Sequence, residues 1–96
     1  MTPERVAALQ GLLVRTEAAH GVYERTTLAG VYDEAWPRWY AEYAVEHDIG
    51  GLLGADLTAD GLAAFLEQTW AEYQRSDPKP TDPWALYTAR RIDAEL

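Results

Sequence analysis

Tryptophan and tyrosine recur in this chain at spacings that repeat, and the repeat constrains the fold more than any other feature. The first copy reads His20-Gly21-Val22-Tyr23-Glu24-Arg25 and then Trp36-Pro37-Arg38-Trp39-Tyr40-Ala41. The second reads Trp70-Ala71-Glu72-Tyr73-Gln74-Arg75 and then Trp84-Ala85-Leu86-Tyr87-Thr88-Ala89. His20 and Trp70 stand 50 positions apart, Trp36 and Trp84 stand 48 apart, so the loops inside the two copies differ by two residues. The pattern predicts an all-α four-helix bundle built from two helical hairpins with an internal pseudo-two-fold repeat. One hairpin covers about 3–48 and the other about 58–95.

A chain of 96 residues fits a single helical domain, 1–96, because two domains of half that length would each bury too little surface. The 11 aromatic side chains can each bury roughly 150–250 Å², enough to give so short a chain a core. Cysteine is absent, which removes disulfides, thiol catalysis and thiolate metal sites together. Sixteen acidic against eight basic side chains leave a net charge of −8, which repels phosphate backbones and anionic membrane surfaces. No apolar run approaches the roughly 20 residues of a membrane span, and the opening residues carry no signal-peptide pattern. These features predict a cytoplasmic protein that binds neither nucleic acid nor membrane. Seven arginines to one lysine, with abundant alanine, point to a GC-rich and therefore bacterial coding sequence.

Thr2 before Pro3 marks a helix start, a capping hydroxyl followed by a proline in the first turn. Val6, Leu9, Leu13, Thr16, His20 and Tyr23 then recur on one helical face, to about Arg25. Asp33 is the expected cap of the second helix, which Pro37 should open with a distorted or 3₁₀ turn. Trp36, Tyr40 and Tyr43 share a side of that helix and Trp39 is displaced towards its edge. The stretch from Asp48 to Ala55 holds Gly50, Gly51 and Gly54 and reads as a connection, with Leu52 and Leu53 tucked under it as an apolar plug. Thr58 caps the third helix, whose stripe is Leu62, Phe65, Leu66, Thr69, Trp70 and Tyr73. Pro78 and Pro80 break the chain, and Asp82-Pro83 opens the fourth helix, carrying Trp84, Tyr87 and Arg91.

Glu17-x-x-His20 places a carboxylate and an imidazole on one helix face, the spacing of a bundle di-metal site. That design needs a second Glu-x-x-His, and the matching positions here are Glu67 and Trp70. The repeat instead makes His20 and Trp70 equivalent wedges between helices, each donating one N–H. His47 closes the second helix, where an imidazolium would meet the negative end of the dipole. Glu46, His47 and Asp48 are adjacent on a helix and do not converge. Arg25 and Arg75 sit at matching helix ends, each free to meet a carboxylate or an indole of the other hairpin. No phosphate loop, nucleophile elbow or calcium loop is present.

Ala19-His20-Gly21-Val22-Tyr23-Glu24, followed by Asp33-x-x-Trp36-Pro37-x-Trp39-Tyr40-Ala41-x-Tyr43, resembles a group of small uncharacterised bacterial helical proteins. They share an Ala-His-x-x-Tyr-Glu segment and an Asp-x-x-Trp-Pro-x-Trp-Tyr-Ala segment. The resemblance covers residues from about 17 to 45. It implies a compact bacterial accessory protein and carries no assigned activity.

Two functional readings follow. In the first, the chain is a non-enzymatic accessory protein that self-associates or docks on a protein partner through an aromatic patch including Trp39 and Tyr40. In the second, it binds a small molecule, or is a minor enzyme, through a pocket between the hairpins. The polar groups of that pocket would be Glu17, His20, Glu24 and Tyr40, and its walls Trp36, Trp70 and Trp84. Tyr23 and Tyr43 complete the set of candidate ligand or partner contacts. No catalytic set, metal site or cofactor is assigned.

Overall fold

Pro3 in a first helical turn and an apolar residue every third or fourth position thereafter produce the longest element of the molecule, α1 (Pro3–Thr26). The computed structural model describes residues 3–54, 56–78 and 80–96, so the expected cap at Thr2 lies outside the described residues. Val6, Leu9, Leu12, Leu13, Thr16 and His20 form the buried face of α1. The Thr16 hydroxyl donates to the Leu12 carbonyl at 2.7 Å, which satisfies a polar group in the core. The helix stops where Ala29 and Gly30 turn left-handed, and Gly30 (φ 85°) donates back to the Glu24 carbonyl at 2.7 Å.

α2 (Trp36–Glu46) starts later than a cap at Asp33 would place it. Asp33 Oδ1 accepts from the Ala35 N–H at 2.9 Å and the Asp33 carbonyl accepts from Trp36 at 3.3 Å, a tight turn ahead of the helix. Pro37 has no N–H to bond to the Asp33 carbonyl, so α-helical bonding begins only beyond it. Pro37, Ala41 and Ala44 are buried, and His47 caps the C-terminus with Nδ1 2.8 Å from the Tyr43 carbonyl.

The connection expected after Asp48 is a fifth helix, α3 (Ile49–Leu53). Asp48, at φ 66°, accepts from the Gly51 N–H at 3.2 Å. A Cβ on Gly51 would stand 2.3 Å from Asp48 Oδ2, so this cap requires glycine there. The plug is Ile49 with Leu53, one turn apart, whereas Leu52 faces outward. α4 (Ala59–Arg75) opens as expected, with Thr58 Oγ1 accepting from the Gly61 N–H at 3.1 Å. α5 (Trp84–Glu95) does not use the expected Asp82 cap. The Asp82 carboxylate pairs instead with Arg90, two turns along the helix, and its carbonyl accepts from the Tyr73 hydroxyl at 3.1 Å.

The molecule is all-helical among its described residues, with five helices rather than four. α1 packs mainly on α5 and α2 mainly on α4, while α3 seats against α1 and α2. Leu9, Leu12, Leu13, Leu62, Leu66 and Ile92 fill the core between them, each contributing roughly 1.5–3 kcal/mol by leaving water. Ala41, Ala44, Ala85 and Ala89 present small buried side chains on α2 and α5. Arg5 and Asp93 pair across 88 residues and hold the two chain ends together. The radius of gyration, 13.2 Å, is close to the roughly 13 Å of a compact chain of this length, and no described helix is long and apolar enough to cross a membrane.

Candidate functional site

Helical spacing turns Trp36 and Tyr40 of α2 to the same side, where they meet Trp70 of α4 and Trp84 of α5. The three indoles are nearly perpendicular to one another. Their planes cross at 84° (Trp36 and Trp70), 85° (Trp36 and Trp84) and 79° (Trp70 and Trp84), with centroids about 6 Å apart. Edge-to-face packing of this kind sets the positive ring edge against the negative face. The rings line an open-mouthed pocket of about 230 Å³, with Glu17, His20 and Glu24 of α1 and Tyr32 of the α1–α2 loop completing its lining. Among the described residues neither arginine nor lysine lines it, and its wall is predominantly apolar.

His20 is 5 % exposed and fixed by two carboxylates. Nε2 lies 2.8 Å from Asp33 Oδ2, while Nδ1 lies 3.8 Å from Glu24 Oε1, an ion-pair separation. Glu24 in turn accepts from the Asp33 N–H at 3.0 Å, so the loop and α1 hold the imidazole jointly. Trp39 and Tyr40 both meet its ring edge-to-face at 5.0 Å. Nε2 is thus engaged by Asp33, while Nδ1 faces Glu24 at a separation beyond a hydrogen bond. Among the described residues the other lining side chains supply no hydroxyl, thiol or amine apart from two phenols.

Electrostatics follow from this enclosure. Burial, and then the negative charges of Glu17 and Glu24 with a further contribution from Tyr32, push the Tyr40 phenol far above its ordinary range. Glu17 stands at the rim, open to solvent on one side, and protein crowding on the other raises its carboxyl above the usual value. The pocket is thus apolar-walled and negative.

Seven of the ten residues singled out from the sequence meet here: Glu17, His20, Glu24, Trp36, Tyr40, Trp70 and Trp84. Tyr23, Trp39 and Tyr43 do not line the pocket. They continue outward as a stacked series, Tyr23 on Trp39 (5.4 Å), Trp39 on Tyr43 (5.6 Å) and Tyr43 on His47 (3.9 Å). The expected common patch of Trp39 and Tyr40 is therefore divided, Tyr40 inside and Trp39 outside. None of the four α2 rings is fully exposed, whereas Tyr32 is 67 % exposed. Asp33, expected only as a helix cap, joins the site as the partner of His20, beside the pocket-lining ring of Tyr32. The signal for both is position: a hairpin turn after α1 brings the residues just before α2 back beside His20.

Two polar atoms one turn apart on α5 are buried without hydrogen-bond partners, Nε1 of the pocket-lining Trp84 and Oγ1 of Thr88. Among the described residues no group of three or more histidine, aspartate or glutamate side chains is placed to hold a metal ion. Comparisons with protein-family models, with curated proteins and with solved structures find no match to this chain.

Proposed function

We propose that this chain is a small-molecule-binding protein whose site is the pocket between its two long hairpins, α1–α2 and α4–α5. The observation that carries this reading is the convergence of side chains from four helices and a loop on one apolar cavity with few polar groups, the usual constitution of a ligand site in a helical protein. At about 230 Å³ it falls below the roughly 300–1,000 Å³ of drug-sized sites, so its occupant is small.

The proposal includes a pseudo-two-fold axis relating the hairpins and passing through the pocket. Buried positions support it: Leu12 and Leu62 correspond at the first offset, and Ala41 with Ala89 and Ala44 with Ile92 at the second. The ring pairs Tyr23–Trp39 and Tyr73–Tyr87, at 5.4 Å and 5.2 Å, correspond likewise. Such an axis exchanges the α1–α5 and α2–α4 interfaces, the two most extensive in the molecule. His20 and Trp70, and Trp36 and Trp84, then face one another across the cavity as equivalent wedges.

A thermal-shift screen against a panel of small metabolites tests the reading. A ligand at 100 times its dissociation constant stabilises by roughly 2.7 kcal/mol, a rise in Tm of about 10–20 °C for a domain of this size. A flat response across the panel would count decisively against it. A second reading, self-association through the outer face, is favoured by the stacked series Tyr23, Trp39, Tyr43 and His47. Sedimentation would then show a dimer that dissociates in Trp39→Ala, and a wild-type monomer refutes it.

A further inference from the structure

The geometry points to an occupant of one chemical class: a small alkylated ammonium ion. This rests on the pocket being a ligand site, and three features of the wall choose the class. The first is charge. Two carboxylates, Glu17 and Glu24, line the cavity and among the described residues no arginine or lysine does, so the described wall offers countercharge to a cation and none to an anion.

The second feature is shape. The ring pairs measured around the cavity among Trp36, Tyr40, Trp70 and Trp84 cross at angles from 69° to 85°. A flat aromatic ligand sandwiched between two rings needs parallel walls, and none of these pairs is parallel. Three mutually perpendicular indoles form the corner of a box, which suits a rounded group presenting similar surfaces in several directions. A tetrahedral ammonium clothed in methyl or methylene groups has that form.

The third feature is solvation. Indole faces attract a cation lying within about 6 Å of the ring centroid, but they do not replace the water ligands of a small metal ion. An alkylated ammonium is weakly hydrated and loses little on entering. The aromatic walls thus supply the contact surface and the two carboxylates the countercharge.

Isothermal titration of the full chain with tetramethylammonium and with choline tests this, alongside 3,3-dimethylbutanol, the neutral carbon counterpart of choline. A short peptide carrying trimethyl-lysine forms a further arm. The expected result is saturable 1:1 binding of the ammonium probes, at least about tenfold tighter than the neutral alcohol, as a desolvated cation–π site confers. Glu17→Lys should abolish that binding while far-UV circular dichroism and Tm stay near wild type, because Glu17 is a rim residue. Tighter binding of the peptide arm would support the chemistry and assign its source to a protein side chain.

Equal affinity for alcohol and ammonium would overturn the cation inference and leave the pocket reading intact. Preference for a planar or anionic member of the metabolite panel would do the same. Failure of every probe and every panel member would overturn both together.

Discussion

Removing Arg5 should cost more than removing Asp93, although the two form one ion pair. The Asp93 side chain is 0 % exposed and that of Arg5 34 % exposed. Arg5→Leu leaves a carboxylate sealed in the core, and stranding a buried charge costs about 3–5 kcal/mol. Asp93→Leu removes the buried charge itself and leaves a guanidinium that is already a third exposed, so the loss is nearer that of one hydrogen bond to a charged group, about 1.5–3 kcal/mol. Against a total stability of roughly 5–15 kcal/mol for a domain of this length, the first change is severe. In urea, where small domains lose roughly 1–3 kcal/mol per molar, its midpoint should fall by about 2 M. The Arg5→Leu/Asp93→Leu double variant should return to within about 1 kcal/mol of wild type, since an apolar pair of similar volume restores packing without desolvated charge. Asp93 Oδ2, buried without a hydrogen-bond partner, makes that recovery easier. Chemical denaturation of the four proteins completes the cycle. Equal losses for the two single variants, or an Arg5→Leu loss below about 1 kcal/mol, would refute the claim that Asp93 is a buried charge.

Thr88→Val should stabilise the fold by about 1 kcal/mol, because it removes a buried hydroxyl without a partner and preserves the side-chain shape; a loss of stability in urea denaturation contradicts this. Tyr40, held above its ordinary 10.0 by burial and then by Glu17 and Glu24, keeps a proton that the unfolded chain releases. Stability is therefore complete below about pH 10 and falls as pH rises beyond it. Tyr40→Phe should unfold at higher pH than wild type in an alkaline titration followed by circular dichroism, and identical midpoints refute the shift. Glu17, raised above 4.5 by burial, ionises first in the unfolded chain as pH rises, which penalises the folded state above that range. The stability of Glu17→Gln relative to wild type should accordingly grow from about pH 4 to about pH 7, and a constant difference would contradict it.

Periodicity made the buried faces of α1 and α4 legible, and local chemistry made the Thr58 cap legible because its partner is three residues away. The caps at Asp33 and Asp82 were not, since each carboxylate answers to a distant group: His20 across the loop and Arg90 two turns on. α3 contains Gly50 and Gly51, poor helix formers, and exists because Asp48 caps it and Ile49 is buried at 1 % exposure. These are tertiary causes. The pocket walls could be read from the repeat, which aligned His20 with Trp70 and Trp36 with Trp84. The fate of Tyr43 could not. It is seven residues from Trp36 and so on nearly the same side, yet about 10 Å further along the helix, beyond the pocket and beside Trp39.

The indole N–H resonances of the four tryptophans report on the central claim most directly. With tetramethylammonium at saturation, the cross-peaks of Trp36, Trp70 and Trp84 should shift together in a ¹⁵N–¹H spectrum while that of Trp39 stays in place, since the first three line the cavity and the last does not. Movement confined to Trp39, or four unmoved peaks, would contradict the account.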